Sequence, residues 1–284
     1  MYFHYIENEL NEYLNSIKSS KLKKMFEYSL IDGKCIRGFI VKHVMNTLSK
    51  NKINIWQPIV SIELIHSISL IIDDLPCMDN DKMRRNKPSF FVKFGERESL
   101  LLSFYGINQS LKLLMNGINN NEFNQNKYNY ILKIINQWDD NVGNKLILGQ
   151  MLDLKEDISK LLNISIPNTE DTLMTYKTSS LFSFAFILGC IFSNEKLNTN
   201  DFINMGYYFG ILYQLMDDAK DIKTDVIDSN YLLKYGKEKA KKLFYKNKNN
   251  LINLLEKYNL DTKEMVNLVS IIEKKFNENI LLDV

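Results

Sequence analysis

Glycine and proline are scarce in this sequence, and so are cysteine and histidine. The 284 residues include 11 glycines, 4 prolines, 3 cysteines and 3 histidines. Because turns between short strands usually need glycine or proline, this scarcity favours long helices over a many-stranded β fold. The cysteines, Cys35, Cys77 and Cys190, are widely separated, which excludes a disulfide framework and indicates reduced thiols in an intracellular protein.

A strong charge of either sign is also missing. The formal net charge is +2, which gives no long-range field of the kind that attracts nucleic acid. The longest apolar run, residues 181–192, is too short to span a bilayer. The first residues lack the basic-then-apolar pattern of a secretory signal. We therefore expect a soluble, cytoplasmic protein with no membrane span and no nucleic-acid partner.

Apolar side chains at helical spacing are present over most of the chain. Hydrophobic residues make up 45% of the sequence and charged residues 25%, which is enough for a sizeable core. The spacing predicts helices at residues 5–17, 22–30, 58–75, 95–115, 129–154, 170–192 and 233–249, and a further pair within 251–282. Phe182, Phe184 and Phe186 are expected in the core. No linker stands out, so we expect one all-α domain over residues 1–284, with about ten helices.

An acidic cluster ends the apolar stretch at residues 58–75. It contains four aspartates and is followed by two arginines: Asp73, Asp74, Asp79, Asp81, Arg84 and Arg85. Buried carboxylates need a neutralising cation, and oxygen-only ligands suit Mg²⁺, which takes one or two carboxylates plus phosphate oxygens. The arginines offer forked donors for the same phosphates. The cluster therefore predicts a metal-bridged diphosphate site.

A second acidic cluster lies far downstream. In a helix, Asp217 and Asp221 are one turn apart, so their carboxylates leave the same face. In the first cluster six residues separate Asp73 from Asp79, but Pro76 interrupts the helix and allows Asp79 to turn back towards Asp73. Two such clusters facing each other would hold several Mg²⁺ ions around one diphosphate.

The ordered motifs resemble those of the trans-isoprenyl diphosphate (polyprenyl) synthase family, of the short-chain farnesyl or geranylgeranyl diphosphate type. DDLPCMD at residues 73–79 is similar to the first aspartate-rich motif, and RRNKP follows it where RRGKP is usual. GILYQLMDDAKD at residues 210–221 is similar to the second motif. GKCIR at residues 33–37, GQMLDL at 149–154 and the pair Lys177-Thr178 also match. Five motifs in order are far more specific than one.

The resemblance implies a fold, a cofactor and a pair of substrates. The fold is the isoprenoid synthase bundle around a central cavity, with the acidic motifs facing across its mouth. The cofactor is Mg²⁺, as three ions, and the substrates are isopentenyl diphosphate and an allylic diphosphate. Because the family is usually dimeric, we expect a homodimer. The implied metal ligands are Asp73, Asp74, Asp79, Asp217, Asp218 and Asp221.

The resemblance also implies the substrate-binding residues, with Gln150 and Asp153 near the cavity wall. The ligands of the allylic diphosphate would be Arg84, Lys177, Thr178 and Gln214. The ligands of isopentenyl diphosphate would be Gly33, Lys34, Arg37, His66 and Arg85. The implied catalytic residues are Asp73, Asp79, Lys177 and Asp217. A lone histidine on an apolar helix is more often a core residue than a ligand, but the resemblance favours the ligand role for His66.

The implied chemistry is ionisation of the allylic diphosphate, with Mg²⁺ neutralising the leaving pyrophosphate. The carbocation needs a dry cavity without nucleophiles. Isopentenyl diphosphate then supplies its double bond, and pyrophosphate takes the proton that is lost. Ile68 and Ser69, five and four residues before Asp73, are not aromatic, which favours a C15 to C20 product.

Three departures from the family pattern leave a second reading open. Residues 223–231 form a shorter segment than usual after the second motif, residues 104–107 replace Gly-Asp-Ala-Leu, and Ile72 replaces a histidine. The chain is therefore either an active enzyme or a degenerate, non-catalytic or regulatory subunit of a prenyl diphosphate synthase. Such subunits commonly lack one acidic motif, and this chain lacks neither. A terpene cyclase is disfavoured, because the motif at residues 33–37, His66 and Arg85 indicate a second diphosphate site.

Overall fold

The computed structural model describes residues 2–50, 54–119, 127–154, 172, 174–223, 227 and 230–281. The chain divides into two compact units, one comprising Met1–Ile135 with Leu188–Glu195 and the other Asn136–Ile187 with Lys196–Val284. Within the described residues the regular structure is helical apart from one short hairpin. The predicted all-α class is confirmed, and the extent of a single domain stays a prediction.

Unit one is organised around a single apolar helix, α4. Its elements are α1 (Phe3–Ser16), α2 (Ser20–Leu30), α3 (Ile36–Leu48), α4 (Gln57–Asp73), the hairpin of β1 (Met83–Arg84) and β2 (Lys87–Pro88), α5 (Phe90–Phe94), α6 (Glu96–Asn119) and the start of α7 (Lys127–Trp138). Helix α4 is buried on most sides because it packs against α1, α2, α3 and α6. Pro58 lies in its first turn, where a missing N–H is tolerated.

Unit two is organised around the long helix α10. Its elements are the π-helix π1 (Asp139–Leu146), α8 (Ile147–Asp153), the π-helix π2 (Met174–Ser179), most of α9 (Ser180–Phe192), α10 (Thr199–Lys220), α11 (Tyr231–Tyr235), α12 (Lys237–Lys257) and α13 (Lys263–Leu281). Helix α10 packs against π2, α11, α12 and α13. In α9 the predicted core residues Phe182, Phe184 and Phe186 are fully buried, so that prediction is confirmed.

Three helical predictions differ from the structure. The helix predicted at residues 129–154 is divided by π1 into α7 and α8, and the described part of the one predicted at 170–192 begins with π2. Because a π-helix has the composition of an α-helix, apolar spacing cannot reveal it. The pair predicted within 251–282 is wrong, because residues 251–257 end α12 and one helix, α13, follows.

Among the residues that the structure describes, one helical segment, Met174–Phe192, is long and apolar enough to cross a bilayer by length and composition. Its mean hydropathy is 1.3 and 78% of the apolar window is buried inside the protein. Buried core helices of soluble proteins pass the same test, so a single segment of this kind is weak support for a membrane span. The expected absence of a span stays a prediction.

Candidate active site

The first acidic motif begins at the last residue of α4 and folds back on itself. After Asp73 the chain turns through Pro76, and the backbone N–H of Asp79 donates to the carbonyl oxygen of Asp73 at 2.9 Å. The predicted return of Asp79 towards Asp73 is therefore found in the backbone. Asp73 is half-buried and Asp79 is exposed, so these two carboxylates lie at the surface of unit one.

The middle aspartate of this motif, Asp74, is bound to protein instead. Its side chain is buried and accepts hydrogen bonds from Nε of Arg84 at 2.9 Å and from Nη2 of the same residue. Arg84 also donates to Asp81 at 3.1 Å. Burial raises the pKa of Asp74, and the hydrogen bond and charge of Arg84 act in the opposite direction. Two predicted ligands, Asp74 and Arg84, are thus paired with each other.

The hairpin after the motif presents Arg85 towards the start of α3. Strands β1 and β2 pair with Met83 opposite Pro88, and the two loop residues, Arg85 and Asn86, have positive φ angles of 54° and 61°. Such a two-residue turn matches the twist of a hairpin, and asparagine tolerates the left-handed region better than most residues. Nη1 of Arg85 donates to the carbonyl oxygen of Ser29 at 3.1 Å.

Gly33 lies directly beside the Arg85 guanidinium. A Cβ atom at this position would be 3.2 Å from Nη1 of Arg85 and 3.3 Å from its Cζ, so any side chain would press on the guanidinium. The hairpin is held against α2 by Tyr28, whose hydroxyl donates to the carbonyl oxygen of Pro88 at 2.6 Å. Lys87 donates to the carbonyl oxygen of Tyr28 at 2.8 Å. These contacts bring the predicted ligands Gly33 and Arg85 together.

His66 lies among the basic residues that were predicted to bind the second diphosphate. It is half-buried on α4, two turns before Asp73. Burial lowers the pKa of His66 well below its ordinary value of 6.5, and the positive charges of Arg37, Arg85, Lys34 and Arg84 lower it further. Gly33 lies against the Arg85 guanidinium, and the N–H of Gly38, next to Arg37, donates to Glu63, one turn before His66 on α4. Unit one therefore gathers the predicted ligands of isopentenyl diphosphate into one cluster, with Arg37 buried and Lys34 exposed.

An open pocket lies beside this cluster in unit one. It is lined in part by Tyr28, Ser67, Asp74, Arg84 and Arg85. Its walls thus include both arginines of the hairpin and the buried aspartate.

The second acidic motif lies at the end of α10. The N–H of Asp221 donates to the carbonyl oxygen of Asp217 at 3.0 Å, so helical geometry continues through both residues. Both carboxylates are half-buried, and Oδ1 of Asp221 accepts from Lys220 at 2.8 Å. The predicted one-turn spacing of the two aspartates is confirmed.

Asp218 is buried and holds two other parts of unit two. Its Oδ1 accepts from Nε2 of Gln214 at 2.7 Å, and its Oδ2 accepts from the N–H of Tyr231 at 2.9 Å. The side chain of Asn230 donates to the carbonyl oxygen of Asp218 at 2.7 Å and also caps α11. Asp218 therefore fixes the chain where it returns to the helix bundle after the second motif.

Lys177 and Thr178 lie in π2, between α8 and α10. A Cβ on Gly149 of α8 would overlap the backbone nitrogen of Lys177, and one on Gly210 of α10 would overlap Oγ of Ser179. The Lys177 ammonium pairs with Asp153, and Thr178 donates to Oε1 of Gln214 at 2.5 Å. Gln214 thus joins Thr178 to Asp218, and these three predicted motif residues form one network in unit two.

In both motifs the middle aspartate and the outer aspartates have different environments, and this difference decides which of them can bind Mg²⁺. In each motif the middle aspartate is buried and bound by protein donors, and the outer pair lies nearer the surface. In the described part of the chain no three His, Cys, Asp or Glu side chains are placed to hold a metal ion. Since Mg²⁺ often uses only one or two carboxylates and completes its shell with phosphate oxygens and water, each outer pair fits as a partial ligand set.

Comparison with known proteins decides the family. A sequence profile of the polyprenyl synthetase family matches residues 19–264. The chain belongs to this family. The predicted resemblance to the trans-isoprenyl diphosphate synthases is therefore confirmed.

Individual relatives of this polyprenyl synthetase agree in fold and length. The farnesyl diphosphate synthase of Buchnera aphidicola subsp. Schizaphis graminum is 30% identical over 294 residues, which cover 99% of this chain and 93% of that protein. The enzyme of the same name from Buchnera aphidicola subsp. Acyrthosiphon pisum is 34% identical over 239 residues, covering 81% and 80%. A crystal structure of geranyltransferase from Legionella pneumophila has a TM-score of 0.78 at 20% identity, covering 98% and 95%. That structure confirms the predicted isoprenoid synthase fold.

Sequence reasoning missed two residues that support the site, Glu63 and Asn230. Glu63 is a buried carboxylate one turn before His66, and its signal was a single charge in an otherwise apolar helix. Asp153, which the family resemblance placed near the cavity wall, pairs with Lys177. Asn230 caps α11 and binds Asp218, and no pattern in the sequence pointed to it.

The departures from the family pattern have different structural settings. Tyr105, which replaces the family's aspartate, is 37% exposed, and its ring centroid lies 6.0 Å from that of Phe26. Ile72 is half-buried next to Asp73. Of the shortened segment at residues 223–231, residues 224–226 and 228–229 lie outside the described part of the chain.

Proposed function

We propose that this protein is a short-chain prenyltransferase that condenses isopentenyl diphosphate with an allylic diphosphate to give a C15 to C20 prenyl diphosphate. The observation that carries the proposal is the contact of Gly33 with the guanidinium of Arg85, which places the segment that carries Lys34 and Arg37 beside the hairpin after the first acidic motif. The names of the relatives, farnesyl diphosphate synthase and geranyltransferase, support the same reaction class.

The basic cluster in unit one is proposed to hold isopentenyl diphosphate. Arg37 and Arg85 provide the forked guanidinium donors that match diphosphate oxygens. His66 is neutral at pH 7, because its pKa is depressed, so it offers one N–H rather than a second charge. Isopentenyl diphosphate is not ionised in the reaction, so the diphosphate held by this cluster remains in the product.

The residues of unit two are proposed to serve the allylic diphosphate. Lys177 supplies a cation, and its pairing with Asp153 holds the ammonium in place until the substrate arrives. Thr178 and Gln214 are already linked by a hydrogen bond, so each can be reoriented only together with the other. Arg84 is proposed to assist with the N–H groups that its contacts to Asp74 and Asp81 leave available.

Mg²⁺, as three ions, is proposed as the cofactor. It would be held by the outer aspartates of each motif, namely Asp73, Asp79, Asp217 and Asp221, and it would supply the positive charge that neutralises the leaving pyrophosphate. Asp74 and Asp218 would act indirectly. Each accepts hydrogen bonds from protein donors, and these bonds fix the backbone of its motif.

The proposed reaction needs no side-chain nucleophile. The allylic C–O bond breaks and pyrophosphate leaves with the electron pair. The double bond of isopentenyl diphosphate then forms the new C–C bond, and the proton lost afterwards passes to pyrophosphate. Side chains hold the two substrates and keep water out, which protects the carbocation from hydrolysis.

The protein is also proposed to act as a cytoplasmic homodimer. On α6, Leu100, Leu101, Phe104 and Ile107 recur on one face and are between 37% and 69% exposed. A contiguous apolar face of this kind is typical of a protein interface. Two cysteines, Cys35 and Cys190, are buried and unpaired, which fits a reducing compartment.

The test is incubation of the pure protein with Mg²⁺, labelled isopentenyl diphosphate and each of the C5, C10 and C15 allylic diphosphates. We expect labelled prenyl diphosphates whose chain length is read by chromatography, and none in Asp73→Asn or Asp217→Asn. Asp261→Asn, at an exposed aspartate between α12 and α13, is the matched control and should keep full activity. Folded wild-type protein that gives no product with any primer would overturn the proposal and favour a non-catalytic subunit.

A further inference from the structure

Glu63 is the only charged residue of helix α4 before Asp73, and it is buried. Its side chain is 3% exposed in the middle of the apolar stretch of the helix. A buried carboxylate is costly unless it is hydrogen-bonded or paired with a cation. Glu63 therefore needs a structural reason, and none of the roles assigned above uses it.

The hydrogen-bond partner of Glu63 is the first turn of α3. The backbone N–H of Gly38 donates to Oε1 of Glu63 at 2.6 Å. The N-cap residue of α3, Cys35, has a left-handed φ of 52° and makes no side-chain capping hydrogen bond. Because the first N–H groups of a helix have no partner within the helix, the carboxylate of Glu63 acts as a cap supplied by a neighbouring helix.

Gly38 allows this close approach. A Cβ atom at this position would be 3.0 Å from Cγ of Glu63 and 2.7 Å from Cδ1 of Ile6. The two helices therefore meet here with no side chain between the Gly38 backbone and the carboxylate. The contact fixes the distance from the start of α3 to the middle of α4.

The carboxylate of Glu63 also lies close to the basic cluster. Burial raises the pKa of Glu63, and the N–H of Gly38 and the charges of Arg37 and Arg85 act against this effect. Arg37 directly precedes Gly38 in the capped turn, and His66 lies one turn beyond Glu63 on α4. Glu63 thus lies on α4, the helix that carries His66, and is hydrogen-bonded to α3, the helix that carries Arg37. Lys34 lies just before α3.

We propose that Glu63 is a positioning residue for isopentenyl diphosphate: it joins the first turn of α3 to α4 and so holds Lys34, Arg37 and His66 at the spacing that the diphosphate requires. The inference rests on the proposed function, because it concerns the site assigned there to isopentenyl diphosphate. Glu63 itself does not touch the substrate.

The test compares Glu63→Gln and Glu63→Ala with the wild-type enzyme in steady-state kinetics. Gln keeps the length of the side chain and one acceptor oxygen for the N–H of Gly38, whereas Ala removes the contact. We expect KM for isopentenyl diphosphate to rise about tenfold or more in Ala and less in Gln, since displacement of ligands by even about 1 Å is costly. KM for the allylic diphosphate should stay within about twofold of the wild-type value in both variants.

The matched control is Ser61→Ala. Ser61 is a buried polar residue on the same helix, and its hydroxyl donates to the carbonyl oxygen of Ser110 at 2.8 Å, on α6 rather than α3. Its removal should lower stability without changing KM for either substrate. Calorimetry with isopentenyl diphosphate alone should give the same order of affinity as the kinetics, with wild type tightest and Ala weakest.

Several outcomes would overturn the inference. Unchanged KM for isopentenyl diphosphate in Ala, or an equal change for both substrates, would assign Glu63 to general stability. The same assignment follows if the nearly isosteric Gln variant fails to fold by circular dichroism. A wild-type protein that makes no product overturns the proposed function along with the inference, whereas an active wild type with indifferent variants overturns the inference alone.

Discussion

Neighbouring aspartates in each acidic motif have different environments. Asp217 is half-buried at the end of α10, whereas Asp218 is buried and accepts hydrogen bonds from Gln214 and from the backbone of Tyr231. Asp73 and Asp74 differ in the same way, because Asp74 is bound by Arg84. One residue of each pair therefore supports the fold locally, and the other remains nearer to solvent.

This difference predicts that the same substitution lowers stability at Asp218 but not at Asp217. In Asp218→Asn one of the two acceptor oxygens becomes an amide that cannot accept the N–H of Tyr231 or the amide of Gln214. We expect the free energy of unfolding to fall by about 1–3 kcal/mol, as measured by urea denaturation. Asp217→Asn is the control and should change it by less than about 0.5 kcal/mol. Equal effects on stability would show that Asp218 is not the anchor of this segment.

His66 predicts a dependence of stability on pH. Its pKa in the folded protein is held well below 6.5 by burial and by the nearby cations. The unfolded chain therefore binds a proton at His66 first, and stability that is present above pH 6.5 is lost as the pH falls towards the folded value. In His66→Gln this part of the dependence should disappear. Urea denaturation of both proteins between about pH 7.5 and about pH 5 measures the difference, and parallel curves would contradict the prediction.

At the scale of the element, the β1–β2 hairpin depends on two residues in the left-handed region. Asn86 has a φ of 61°, where glycine is unstrained and β-branched residues are strongly disfavoured. The turn sets the direction of Arg85, whose guanidinium contacts Ser29 and Gly33. A change in the turn should therefore displace Arg85 within the basic cluster.

We expect Asn86→Gly to leave the free energy of unfolding within about 0.5 kcal/mol of wild type and Asn86→Val to lower it by about 1–3 kcal/mol. The valine variant should also bind isopentenyl diphosphate less tightly, because Arg85 is displaced. Thermal unfolding and calorimetry measure the two effects. Lys82→Val, at an exposed residue just before β1, is the control and should be neutral in both. If Asn86→Val is neutral as well, the turn adapts without strain and the prediction is wrong.

At the scale of the whole molecule, the exposed apolar face of α6 predicts self-association. Leu101 and Phe104 are 61% and 69% exposed, and each lies one helical turn or less from another exposed apolar residue. Leu101→Glu with Phe104→Glu should convert a dimer to a monomer, since two buried charges on each copy oppose the contact. Light scattering after size-exclusion chromatography measures the mass. Val266→Glu, at an exposed residue of α13, is the control. A monomeric wild type would contradict the prediction.

Much of the molecule follows from local pattern, and the remainder depends on tertiary contacts. Helical spacing predicted most of the helices, and ordered motifs predicted the family and the residues that unit one gathers around His66. Sequence spacing could not predict that Asp217 and Asp218 have different roles. Adjacent identical residues differ only in the neighbours that the fold brings to them. Glu63 and its partner Gly38 are 25 residues apart in the sequence, so their contact is invisible without the structure. The π-helices were missed because they differ from α-helices in hydrogen-bond register alone.

The two glycines beside π2 have a consequence for the stiffness of unit two. At Gly149 helix α8 reaches the main chain of π2 directly, and at Gly210 helix α10 lies against Cα and the short side chain of Ser179. Side chains can yield by changing rotamer, whereas main chain in contact with main chain can move only if a whole helix shifts. The Cα atom of Lys177 should therefore be among the least mobile in unit two, and its ammonium group can move only through the rotations of its own side chain.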